Sequence, residues 1–527
     1  MSIATPILPA QHRIPRPICA VLVLCAWLVL AAIAYGQPTT FTYSNLNQGP
    51  NDNLLVRIEG AGIPGVDYDL HNVLGNAMLD GRVELRFDAG YQPAIGESIN
   101  FLQAQTIEQQ FRSYFFPTIA PPDEVAVQFE QLDQLVRAEF VSPRFGNDFQ
   151  PTGPGVSQWH VDDNWSLGEI PNSTDQLVLM NNSPIASQRV RVIGDPIDGF
   201  APAAAHEIAI QGGLLPMILE VNGGTNGVGH LSVSTRTAID NEGQLELVNQ
   251  GSLFTGELLV GNKGTVLLDN GHIETGVAGA RVAGLLAGTG QVSGDFQLLP
   301  GGLLEVQEPA GGRGGQIMIS QNYSQSPGSR LALDLPSDNP GEYEQLFIGG
   351  TASFGGVLQV NLTEFDGFGV GTRIEQVVYA ETGVGQNDSF RRLDAIGLPT
   401  GIWAKVEYGV GSYYASIEGH SVGDMDGDFD FDQEDVDLFV LALRDREAYE
   451  LTPLDGGGII GVSADITGDT DFDGDMDFDD IDDMIALLDG SAAVYARQVL
   501  LGVSVPEPGT LSLLFLACLA VVRWRKS

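Results

Sequence analysis

The residues of this chain best suited to chemistry are two runs of aspartate at alternate positions. Asp424, Asp426, Asp428, Asp430, Asp432 and Asp435 stand at positions 1, 3, 5, 7, 9 and 12 of one stretch. Asp471, Asp473, Asp475, Asp477, Asp479 and Asp482 take the same positions in a second, and Phe431 and Phe478 share position 8. Carboxylates crowded this closely repel one another unless a hard cation lies among them. Ca2+ takes about 6–8 oxygen ligands, and a twelve-residue loop supplies them from positions 1, 3, 5, 7, 9 and 12. The spacing therefore predicts a Ca2+ site in each stretch. From His420 to Gly490 there are 23 acidic residues against Arg444 and Arg446, within a chain whose formal charge is -43. The acidity is a local device. Position 6, where the sharp turn favours glycine, is Phe429 in one loop and Met476 in the other. A second register, Asp469 to Asp480, would place Gly474 there instead.

Each loop leads into helix-like apolar spacing: Val436, Phe439, Val440 and Leu443 after the first, and Ile481, Ile485 and Leu488 across the end of the second. Two such loop-helix units, over residues 422–490, resemble a type I dockerin domain with EF-hand loops. The resemblance implies two bound Ca2+ and docking onto a cohesin-like protein. Positions 10 and 11, which help choose that partner in the family, are Gln433-Glu434 and Asp480-Ile481, so the two halves present different surfaces.

What must carry this module is mainly β. Between Gln37 and Gly419, short alternating or apolar runs are punctuated by Gly, Asn-Gly, Asp-Gly and Pro-Gly, with no sustained helical period. Asp123 to Ala138 is the one stretch that reads as a short helix. Residues 155–315 resemble the right-handed β-solenoid stalks of autotransporter-type surface proteins. The resemblance rests on the opening motif Trp159-His160-Val161-Asp162-Asp163-Asn164-Trp165 and on rungs such as Leu245-Glu246-Leu247, Leu258-Leu259-Val260 and Val266-Leu267-Leu268. A β-sandwich is the other reading of this region. The two tryptophans beside Asp162-Asp163 read as a cap over an open end, or as a sugar-binding cluster. A repeat flanks the region: Tyr68, Gly75, Ala77 and Gly81 recur with identical spacing as Tyr343, Gly350, Ala352 and Gly356. It marks two copies of one sandwich-like β-module, over 37–148 and 316–419.

The termini supply an address. Arg13 and Arg16 precede the apolar stretch Ile18 to Ile33, so residues 1–36 read as a secretory signal. At the other end Pro506-Glu507-Pro508, the apolar run Thr510 to Val522 and Arg523-Trp524-Arg525-Lys526 resemble a PEP-CTERM sorting signal over 503–527. The run would form a short transmembrane helix of roughly 20 Å, against about 30 Å of bilayer hydrocarbon. The resemblance implies a transient inner-membrane anchor, removed by an exosortase-like enzyme, and delivery to the cell surface or extracellular matrix. A plain permanent anchor is the alternative. The three cysteines, Cys19, Cys25 and Cys518, all lie in these end segments, which leaves the rest without disulfide or thiol chemistry. Net charge argues against nucleic acid as a partner. No H-E-x-x-H, G-x-S-x-G, P-loop or dinucleotide motif is present. The expectation is a non-enzymatic surface or matrix protein with a calcium-dependent docking module, in contact with exopolysaccharide. The alternative is a carbohydrate-binding or polysaccharide-degrading component carried by a dockerin.

Overall fold

The computed structural model describes residues 37–501 apart from 50–51, 88–89, 117–124, 151–155, 182, 184–185, 194–202, 225–228, 308–313, 385–388, 410–413 and 454–458. The signal-like residues 1–36 and the sorting-like tail 503–527 lie outside the described residues. The protein is mainly β, and among the described residues its α-helices are gathered after Asp432.

Strands from Arg144 to Ser421 join in one 25-stranded sheet whose pairings are parallel until its last hairpin. Each strand lies on the strand one turn earlier, so the chain advances as stacked turns. Val190, Leu219, Leu245, Val266, Leu286, Leu304, Leu331, Leu358 and Leu393 occupy consecutive register positions along one such ladder. All nine are buried. Burying an aliphatic side chain of this size contributes about 1.5–3 kcal/mol, and in a stack each supplies the wall for the next. The expected rungs Leu245-Glu246-Leu247 and Val266-Leu267-Leu268 are adjacent members of this ladder, held in register at Leu245↔Val266 and Leu247↔Leu268.

The ladders cross the expected 315/316 division without a break. Gly290 pairs with Ile317, Phe296 with Tyr323 and Leu304 with Leu331. The second repeat copy is thus the end of the same stack. The first copy is built alike, from three short parallel ladders that begin at Thr40–Tyr43, Leu46–Asn47 and Asn53–Ile58. Parallel ladders, where a sandwich would pair strands antiparallel, correct the expected sandwich-like modules.

The register explains the repeat. Leu46↔Ala77 and Leu54↔Val83 in the first copy match Tyr323↔Ala352 and Leu331↔Leu358 in the second. Tyr68 and Tyr343 are buried, and each hydroxyl meets the backbone 32 residues on, at Asn100 N and Glu375 O. A Cβ on Gly81 would stand 2.2 Å from Asp52 O, and one on Gly356 would stand 2.4 Å from Ser329 O. Gly81→Ala is therefore expected to cost about 1–3 kcal/mol of stability, read as a lower denaturation midpoint of the full chain.

The stretch expected to be helical around 123–138 is an antiparallel hairpin, Ala126–Leu132 with Leu135–Val141. Its second strand buries Val136, Ala138 and Phe140 on one face, a period of two that overrides helix propensity. The repeat extends through it. Leu135–Val141 pairs with Ser98–Gln103, just as Tyr414–Ser421 of the C-terminal hairpin pairs with Arg373–Ala380. Trp159 and Trp165 are both buried, 4.9 Å apart edge to face, with the Trp165 indole donating to Trp159 O. Their faces are covered by protein and present no open platform to a sugar.

The first copy lies against the flank of the stack. Tyr114 N donates to Ser232 Oγ at 3.0 Å, and the Arg82 guanidinium sits over the rings of Phe115 and Phe254 while pairing with Glu274.

Candidate metal centre

The acidic segment folds onto five helices: α1 (Gln433–Arg444), α2 (Arg446–Glu450), α3 (Ala464–Thr467), α4 (Asp480–Leu487) and α5 (Gly490–Leu500). Helix α1 buries Val436, Phe439 and Ala442 at i, i+3, i+6, and α5 buries Ala492, Ala496 and Leu500 at i, i+4, i+8, so each presents one apolar stripe. Because α5 packs on α1 and α4, the module reaches Leu500, beyond the expected limit at 490.

In the first loop the buried Asp424 accepts from Asp428 N and Phe429 N, at 3.1 and 3.2 Å. The buried Asp435 accepts from Met425 N and Asp432 N, at 2.6 and 2.8 Å. Asp435 thereby closes the loop and completes the capping box that starts α1. In the second loop Asp469 accepts from Asp473 N and Gly474 N, both at 3.1 Å, and the buried Asp480 accepts from Thr470 N and Asp477 N, at 2.6 and 2.8 Å. The four offsets are the same in both loops. The second loop therefore runs from Asp469 to Asp480, starting 45 residues after the first (469 − 424).

This hydrogen-bond scheme favours the Asp469–Asp480 register over Asp471–Asp482. Asp471, Asp473, Asp475 and Asp477 remain in the loop at positions 3, 5, 7 and 9, Asp469 and Asp480 take positions 1 and 12, and Asp479 and Asp482 drop out. Asp482 is exposed on α4, and Asp479 is the residue that precedes that helix. Backbone conformation gives the reason. Position 6 is left-handed in both loops, with φ 74° at Phe429 and 111° at Gly474, and so is position 4, with φ 67° at Gly427 and 64° at Phe472. Each loop places glycine at one left-handed position and phenylalanine at the other. In the longer-spaced register Met476 would have needed that conformation, at about 1 kcal/mol or more.

Oxygens of Asp424, Asp426 and Asp435 converge within 4.8 Å, as do those of Asp469, Asp471 and Asp480, and those of Asp430, Asp432 and Asp435. Burial, reinforced by the negative Asp428 and Asp424, pushes the Asp426 carboxyl up to about 6. Burial likewise pushes Asp435 up to about 8. Asp426 Oδ1 is enclosed with no hydrogen-bond partner. Carboxylates in this state gain from a divalent cation, which would replace lost hydration and cancel the repulsion. Residues that would hold it are Asp424, Asp426, Asp428, Asp430 and Asp435 in one loop and Asp469, Asp471, Asp473, Asp475 and Asp480 in the other.

No family model matches the chain, and no curated protein matches it. The residues Pro506, Glu507 and Pro508 lie outside the described residues. Among the described residues no helix is long and apolar enough to cross a membrane.

Proposed function

We propose that this is a non-enzymatic, exported cell-surface or matrix protein whose helical module binds two Ca2+ at Asp424–Asp435 and Asp469–Asp480. The observation that carries the reading is the duplicated hydrogen-bond scheme: two loops of different sequence aim equivalent N–H groups at an opening and a closing aspartate, Asp424 and Asp435 in one, Asp469 and Asp480 in the other. The stacked turns serve as a right-handed β-solenoid stalk, and the ladder of nine buried aliphatic residues supports that role. A cohesin-like protein, exopolysaccharide and an exosortase-like enzyme acting at Pro506-Glu507-Pro508 are the partners this reading gives it, with transient inner-membrane anchoring before release.

Calorimetric titration of the full chain should register uptake of two Ca2+, with a gain of helical circular dichroism that chelator reverses. The metal-free module carries too much like charge to offset its ordering entropy. Absence of binding heat together with an unchanged spectrum would remove the calcium reading.

A further inference from the structure

The C-terminal hairpin, Ile402–Tyr408 with Tyr414–Ser421, grips the first acidic loop through three side chains. The buried Trp403 indole donates to Ser421 O at 2.9 Å and to Asp424 O at 3.1 Å. Lys405, only 7% exposed, donates through Nζ to Asp426 O at 3.0 Å and Gly427 O at 2.8 Å, and pairs with Glu407 at 2.9 Å. His420, fully buried, places Nδ1 3.1 Å from Asp424 Oδ2, and its ring stacks on Phe429 at 4.3 Å. These contacts reach positions 1, 3, 4 and 6 of the loop.

The repeat supplies an internal control. Gly96 N donates to Phe140 O and Gly371 N to Gly419 O, which makes Phe140 and Gly419 equivalent. The cross-strand pairs Ala126↔Val141 and Trp403↔His420 then align, as do Gln128↔Glu139 and Lys405↔Glu418. Trp403, Lys405 and His420 therefore stand where the first copy has Ala126, Gln128 and Val141. The same hairpin is used twice, and the copy that carries an acidic loop carries the gripping residues. The grip is a property of that copy's side chains, because the backbone is shared.

We infer that the first loop is a calcium-operated latch on the C-terminal hairpin, with Lys405 as the positioning residue that transmits loop order to the strands. This rests on the calcium reading above. The hairpin closes the last turn of the stack, where unpaired strand edges would otherwise invite association. Its N-terminal counterpart performs that task without a metal loop. The latch makes closure at this end conditional on calcium, while the second loop, whose Asp471, Asp473 and Asp475 are exposed, meets the start of the hairpin through the Phe472 ring beside Gly401.

Hydrogen exchange on the full chain, with calcium or chelator, tests this. Calcium should slow exchange over 402–421 by about tenfold or more and leave 126–141 unchanged. Asp435→Asn should abolish the effect and Asp480→Asn should not. Lys405→Met keeps the aliphatic stem but removes the ammonium and its two carbonyl contacts. It should retain uptake of two Ca2+, weaken the first site about tenfold, and lose the protection of 402–421. Uptake of two Ca2+ with no change over 402–421, or protection that follows Asp480 instead of Asp435, would overturn the latch while leaving calcium binding intact. Absence of calcium uptake by the unaltered chain would remove both readings.

Discussion

Asp480→Ala should remove one of the two calcium ions, whereas Asp482→Ala should remove neither. Asp480 is 1% exposed and its carboxylate accepts from the N–H groups of Thr470, Asp471 and Asp477. Truncation deletes a closing ligand and strands those donors, each at about 1–3 kcal/mol. Affinity at the second loop should fall by more than about 100-fold. Asp435→Ala should do the same at the first loop. Asp482 lies two residues further on, exposed on α4, and its loss alters only surface charge. Titration calorimetry reads the change as a stoichiometry of one instead of two. Should Asp482→Ala lose a site and Asp480→Ala keep both, the second loop would start at Asp471 after all.

The sequence leaves two frames open for that loop for a simple reason. Asp469, Asp471, Asp473, Asp475, Asp477 and Asp479 alternate without interruption, so sliding by two residues exchanges one aspartate for another almost everywhere. Matching Phe478 to Phe431 favoured the longer spacing. Conformation decides otherwise, because Gly474 at position 6 takes a φ of 111° that Met476 would resist. The glycine alone does not mark the frame, because the first loop takes the same left-handed conformation with Phe429 there. The grip by Trp403, Lys405 and His420 was not legible, since those residues sit on a hairpin whose contact with the loop is tertiary. Strands were legible as rungs from alternation alone. Their partners were not: stacked partners lie 18 residues apart at Leu286↔Leu304 (304 − 286), 27 at Phe296↔Tyr323 (323 − 296) and 35 at Leu358↔Leu393 (393 − 358), so no fixed period marks them. Local pattern spacing reports where strands are and is silent on which of them touch.

The largest stability effect is expected where the first repeat copy meets the stack. Arg82→Met should loosen that contact by about 3–5 kcal/mol, the usual cost of stripping one partner from a buried ion pair. Arg82 and Glu274 are each about four-fifths buried, and Arg82 lies 5.2 Å from the Phe115 ring centroid and 5.0 Å from that of Phe254. Burial already raises the Glu274 carboxyl despite the guanidinium beside it. Without Arg82 that carboxylate is left uncompensated, so adding Glu274→Gln should recover much of the loss. Acid should act on the same contact. His230 and His272 flank Phe254, and both are lowered to about 4, by burial first and then by neighbouring positive charge that includes Arg82. With folded values below the ordinary 6.5, their contribution is complete above about pH 6.5 and is lost as pH falls toward 4, because the opened state takes up protons first. Exchange at Ser113–Phe115 and His230–Asp240 should therefore quicken between pH 7 and pH 4.5, and Arg82→Met should quicken it already at pH 7. Unchanged exchange in the variant at neutral pH would mean that the apolar rings alone hold the first copy in place.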